Sequence, residues 1–210
     1  MEETKKVPVS VYAESTPNPG TMKFVTNLTL VNAGRTVEYN SVEETENAPL
    51  AARLFSFPFV TGVFFAGNFI SIKKNDLVEW QEVFGELRDY ITNYITTGHD
   101  IFTVEPEGEK IIESSGEEKK TAITATIDHV PPSNDVEERI IGILEEYVRP
   151  AVENDGGAIH FNKYEEGKLT VVLKGACSGC PSSTVTLKNG IQGLFDSMMP
   201  EVKEIVALED

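Results

Sequence analysis

The chain of 210 residues contains two cysteines, Cys177 and Cys180, separated by two residues. One pair is too few for a disulfide scaffold, whereas Cys-x-x-Cys is a spacing that both metal sites and redox sites use. The surrounding run is Gly175-Ala176-Cys177-Ser178-Gly179-Cys180-Pro181-Ser182-Ser183. Its small residues and two glycines let the backbone turn tightly enough for both sulfurs to point one way. Pro181 and the two serines after it suit the first turn of a helix, whose free N–H groups and positive end favour thiolate over thiol. The expectation is a prepared two-thiolate loop.

Three chemistries compete for such a loop. A structural zinc site closes with four protein ligands, and no second cysteine pair exists. The three histidines do not supply the missing ligands: His99 follows a helix end, His129 falls in a linker, and His160 reads as a half-exposed residue of a hairpin strand. A thioredoxin-like dithiol also sits at a helix N-terminus. The βαβ pattern that should precede it is missing, however, and Pro181 follows the second cysteine instead of separating the two. An iron–sulfur cluster usually takes four thiolates. Two copies of the chain around a two-fold axis would provide them, Cys177 and Cys180 from each, so this reading predicts a cluster-bridged homodimer. A cluster held by two short loops at an interface is exposed and easily surrendered, which suits a carrier. The dithiol reading predicts a reversible Cys177–Cys180 disulfide and an iron-free monomer. A zinc-bridged dimer would hold zinc without sulfide.

The elements around the loop form a small unit, 133–210. Asn134 caps a helix with Glu137 three residues on, and Val136, Ile140, Ile143, Leu144, Tyr147 and Val148 mark one face of it. Pro150 is expected to halt or kink it after Arg149. Asp155-Gly156-Gly157 is a turn needing positive φ, and Asp155 reads as a turn or capping residue more readily than as a base. Ala158–Tyr164 and Lys168–Lys174 form a hairpin around Glu165-Glu166-Gly167. A second helix follows the cysteine loop to about Met199, and Glu201–Leu208 closes the unit as a strand, giving the order α-β-β-α-β.

An earlier unit, 1–102, holds the only tryptophan and most of the aromatic residues. Strands are expected at Val7–Glu14, Thr21–Asn27, Arg35–Asn40, Gly62–Ala66 and Phe69–Lys73, with turns at Thr16-Pro17-Asn18-Pro19-Gly20 and Gly67-Asn68. A short helix begins at Pro49. A long one is capped by Asp76, carries a stripe from Trp80 to Ile95 and ends at Gly98. Between the units, 103–132 is rich in Glu, Lys, Ser, Thr and Pro and reads as a flexible acidic linker, with a short strand conceivable at Thr121–Ile127. The fold class is α+β: two small α+β domains joined by that linker.

Composition narrows the function. The chain carries 18 basic and 34 acidic residues, a formal charge of −16, and such a surface repels phosphate backbones and anionic lipid heads. Nucleic acid and membrane are therefore not expected partners. Leu54–Ile72 lacks charge over about the length of a membrane span, but Pro58, Gly62, Gly67 and Asn68 break it, and it reads as a helix end plus two buried strands. The charged N-terminus resembles no leader, so a cytoplasmic protein is expected. Phosphate-binding glycine loops, Gly-x-Ser-x-Gly and His-Glu-x-x-His are absent from the sequence, and the paired glutamates read as solvated surface.

The second unit resembles the NifU-like domain of Nfu-type iron–sulfur proteins. The likeness rests on Arg149-Pro150, Asp155-Gly156-Gly157, the run Val171–Ser183 and Thr186-Leu187. The first unit is similar to the N-terminal domain that accompanies it, through Thr16-Pro17-Asn18-Pro19, Lys23-Phe24, Pro49-Leu50-Ala51, Leu54-Phe55, Gly62-Val63, Phe69-Ile70 and Trp80. The resemblance implies a non-enzymatic scaffold or carrier of a [4Fe-4S] cluster, with [2Fe-2S] as a conceivable intermediate. It implies a homodimer when loaded, an upstream cluster donor and apo iron–sulfur proteins as acceptors. The family's two cysteines map onto Cys177 and Cys180, the cluster (metal) ligands. Replacing either with Ser is expected to abolish cluster binding and leave the fold intact. Ala48 departs from the pattern by removing a side-chain cap ahead of Pro49.

Overall fold

A computed structural model describes residues 8–32, 34–103, 129–179 and 181–209. The expected linker lies almost wholly outside these residues, as do the strand considered at Thr121–Ile127 and Cys180.

In the first unit, alternation of apolar residues builds five antiparallel strands: β1 (Val11–Ser15), β2 (Thr21–Thr26), β3 (Thr36–Tyr39), β4 (Val60–Ala66) and β5 (Phe69–Lys74). They lie in the order β1-β2-β5-β4-β3. The β4–β5 hairpin closes at Gly67, whose φ of +47° needs a glycine. Met22 and Phe24, Val63 and Phe65, and Ile70 and Ile72 point to one face. There they pack against helices α1 (Pro49–Leu54) and α2 (Trp80–Thr96). Leu87 and Ile91 are fully buried in that core, and each contributes roughly 1.5–3 kcal/mol by leaving water.

The interleaved residues on the same strands are buried too. Val25, Phe64, Ala66 and Phe69 form a separate apolar cluster with Ala158 of the second unit. Burial on both faces explains the uncharged run from Leu54 to Ile72: a sheet covered on both sides has no solvated face to carry charge.

Helix α2 begins later than Asp76. Glu79 is its N-cap, in a capping box where the Glu79 N–H donates to Glu82 Oε2 at 3.1 Å. The preceding residues form an Asn75 turn instead, with the Leu77 N–H donating to Asn75 Oδ1. Gly98, at φ +77°, ends the helix as expected. Trp80 Nε1 donates to Pro19 O at 2.9 Å and so ties α2 to the Thr16–Gly20 turn.

The second unit starts upstream of the proline pair. The Val130 N–H donates to Phe161 O, and the Phe161 N–H donates to His129 Nδ1 at 2.7 Å. Its first helix is longer than Pro150 suggested. Helix α3 (Asp135–Ile143) passes through a π-helical stretch at Leu144–Val148 into α4 (Arg149–Asn154). Proline has no N–H and its ring crowds the carbonyl four residues back; a widened turn just ahead of it lets the helix continue. Asn134 caps α3, its side chain accepting from the Val136 and Glu137 N–H groups.

Strands β6 (Gly157–Glu165) and β7 (Lys168–Gly175) form the expected antiparallel hairpin, with Glu166 at φ 51° and Gly167 at φ 83° in its turn. Helix α5 (Pro181–Met198) then crosses back so that β8 (Glu204–Glu209) runs parallel to β7, three residues later than the sequence suggested. Ile140, Leu144, Val152, Ile159, Phe161, Leu173, Ile191 and Phe195 are among the residues that close this core. No helix of the described residues is long and apolar enough to cross a membrane.

Candidate functional site

The cysteine loop is shaped by glycines. Strand β7 ends at Gly175, at φ +64°; the Ala176 N–H donates to Gly156 O and the Ser178 N–H to Gly175 O, both at 3.2 Å. Gly179, at φ +74°, turns the chain toward α5. A Cβ on Gly157 would come within 2.6 Å of Cys177 Sγ. The Cys177 sulfur therefore packs directly against the backbone at the start of β6.

Cys177 is 5% exposed and belongs to the second unit's core. Burial, with the Asp155 carboxylate adding to it, pushes its thiol up to about 12. Two expectations are corrected here. In this arrangement Cys177 is a thiol and not a prepared thiolate, because desolvation outweighs the helix end. Its side chain also contributes to a core, so its replacement is not neutral for the fold. Asp155 is the C-cap residue of α4, with Gly156 at φ +82° following it, in keeping with a turn role.

His129 and His160 are structural. His160 is 3% exposed, not half-exposed. Burial first, then the electrostatic influence of its neighbours His129, Lys174 and Arg149, pushes its imidazole down to about 3. Its Nε2 is in hydrogen-bond contact with Thr36 Oγ1 at 3.2 Å. His129 is also buried: Nδ1 accepts from the backbone, so Nε2 carries the proton toward Glu145 Oε1 at 2.5 Å. Burial raises the Glu145 carboxyl, but the His129 hydrogen bond and Arg149 bring it below its ordinary value. Among the described residues no three His, Cys, Asp or Glu side chains are grouped to hold a metal ion.

The sequence reading did not find the residues of the first unit that reach the loop. The side-chain amide of Asn18 donates to Ala176 O at 3.2 Å and to Ser178 O at 3.3 Å, the carbonyls on either side of Cys177. Its Oδ1 accepts from the Gly20 N–H, which orients the amide. Ser71 Oγ donates to Gly156 O at 2.6 Å, Lys23 Nζ to Asn154 O at 3.2 Å, and the Gly175 N–H donates to Glu38 Oε1 at 3.3 Å. Beside the loop, an apolar groove of about 690 Å³ runs between Pro17 and the Tyr147, Val148, Ala151, Leu187 and Ile191 side chains. The signal for this contact was the apolar second face of β2, β4 and β5.

Two α+β units, one of them presenting a cysteine loop between a strand and a helix, define a two-domain α+β protein. Residues 11–98 match the family described as scaffold protein Nfu/NifU N terminal, and residues 140–206 match the NifU-like domain. The chain belongs to the Nfu-type family, with both of its domains. It is 31% identical over 204 residues to an NFU1 iron-sulfur cluster scaffold homolog, mitochondrial, of Drosophila erecta, covering 95% of this chain and 65% of that protein. It is 32% identical over 200 residues to the protein of the same name in Drosophila persimilis, at the same coverage. The chain thus spans about 65% of the length of these relatives. A solution structure of a NifU-like protein from Saccharomyces cerevisiae superposes with a TM-score of 0.43 at 20% identity, covering 50% of this chain and 93% of that one.

Proposed function

We propose that the chain is a non-enzymatic carrier that holds a [4Fe-4S] cluster between two copies of itself and passes it to apo-proteins. Cys177 and Cys180 of each copy supply the four thiolates that such a cluster takes. The observation that supports this reading most directly is the pairing of those cysteines in the strand–loop–helix segment of the NifU-like region. Transfer is a ligand exchange without net redox change: an acceptor thiolate forms a bond to iron as the bond from Cys177 or Cys180 breaks, and the released sulfur takes up a proton. A [2Fe-2S] form is a natural intermediate of assembly. The partners are an upstream cluster donor and apo iron–sulfur proteins, with neither nucleic acid nor membrane favoured by a charge of −16. The thiols need a reducing compartment, and the cytoplasm meets that need. The Drosophila relatives carry the word mitochondrial in their names, so cell fractionation decides the compartment.

The test is anaerobic reconstitution with ferrous iron and sulfide, followed by iron, sulfide and mass on one gel-filtration peak. The expected result is about four irons and four sulfides per dimer. A metal-free monomer that cycles between dithiol and disulfide would replace the carrier with a dithiol oxidoreductase.

A further inference from the structure

The first unit covers the cysteine loop, and its hydrogen bonds to residues 154, 156, 175, 176 and 178 all go to the backbone. The Asn18 amide bridges the carbonyls on either side of Cys177, Ser71 holds Gly156 O, and Lys23 holds Asn154 O. Lys73 Nζ sits 3.3 Å from where a Gly179 Cβ would be, and Phe64 lies against Gly175. Five apolar residues, Val25, Phe64, Ala66, Phe69 and Ala158, complete the contact. Each unit meanwhile keeps a full core of its own, so separating them gives up the contacts between the units and leaves both cores intact. The groups of the first unit that hold the loop cover the backbone on either side of Cys177.

We propose that the first unit is a detachable clamp, docked on the cysteine loop of the cluster-free chain and displaced before two loops can meet. This rests on the carrier reading above. The clamp holds the backbone around Cys177 until a second chain or a donor competes for the surface, and it lowers the apparent affinity for cluster by the fraction of chains that are open. Asn18 is its central positioning residue: the amide both spans the loop and, through Gly20, is fixed on the turn that Trp80 anchors.

The test uses the full cluster-free chain and two variants. Asn18→Asp keeps the acceptor for the Gly20 N–H but turns a carboxylate oxygen toward two carbonyls. Ser71→Arg puts bulk on the docking face, whose opposite side carries the first core. Alkylation of Cys177 by N-ethylmaleimide is followed by peptide mass spectrometry, and the radius of gyration by small-angle scattering. Asn18→Asp is expected to raise the alkylation rate about tenfold, as a docking loss of about 1.4 kcal/mol gives, and to expand the chain. Far-ultraviolet circular dichroism identifies a Ser71→Arg chain that has failed to fold, in which case Asn18→Asp alone decides. Unchanged alkylation and unchanged radius in the folded variants overturn the clamp. Faster alkylation with no cluster uptake by any form supports the clamp and removes the carrier reading alone.

Discussion

Adding one methyl group at Gly157 is a direct probe of how the Cys177 loop is built. A Cβ there would lie 2.6 Å from Cys177 Sγ, 2.7 Å from Lys174 O and 2.9 Å from Cys177 Cβ. All three approaches are well inside van der Waals contact, and one partner is backbone in the adjoining strand, where Gly157 pairs with Gly175. The Cys177 side chain is buried and has no open side to swing into. The overlap must be relieved by moving the start of β6 or the whole loop, at a cost of about 2–3 kcal/mol. Guanidinium unfolding of the full chain should show a lower midpoint for the Gly157→Ala variant. Iron and sulfide uptake should fall with it, because the sulfur is displaced from its resting position. A variant with the parent's midpoint and the parent's slow alkylation at Cys177 would refute the packing described for the loop.

Three further outcomes follow from the same geometry. His160, pushed down to about 3 from 6.5, stays neutral in the fold while the unfolded chain takes up a proton near 6.5. Its contribution is therefore fully present above pH 6.5 and is lost as pH falls from there toward 3. Unfolding free energies from urea titrations at about pH 7 and about pH 5 should differ by about 2 kcal/mol, and a His160→Gln chain that keeps the same pH dependence would contradict this. Cys177→Ser places a hydroxyl where a sulfur now packs in the second core, so thermal unfolding should report a loss of about 1–2 kcal/mol even without cluster, with wild-type stability as the contrary result. Asn134→Ala removes the acceptor of the Val136 and Glu137 N–H groups; hydrogen exchange in the first turn of α3 should speed up, with a stability loss of about 1 kcal/mol.

The local punctuation of the chain was legible in residues that act on their immediate neighbours. Gly67, Gly98, Gly156 and Gly167 all adopt the positive φ their positions required, Pro49 opens α1, and Asn134 caps α3. The stripe from Trp80 to Ile95 predicted the face of α2 that packs on the core, with Phe84 alone left exposed, since a 3.6-residue period depends only on the helix itself. Where two signals competed locally the choice was less clear. Asp76 reads as the cap of α2 where Glu79 takes that place, and Pro150 reads as a halt or kink because a π-turn that absorbs it leaves no mark in composition.

The sequence by itself determined that one loop carries both cysteines, that it joins a strand to a helix, and that two α+β units flank an acidic stretch. These follow from residue type, spacing and period, which are properties of adjacent residues. Only the tertiary structure decided which side of the first sheet meets the second unit, that Asn18 reaches across to residues 176 and 178, and that Cys177 and His160 rest uncharged. The physical reason is that desolvation and hydrogen-bond partnership are set by atoms distant in sequence, more than a hundred residues away between Asn18 and Ala176. A thiol at a helix start is poised to ionise by its local dipole, and the core packed around it reverses that preference.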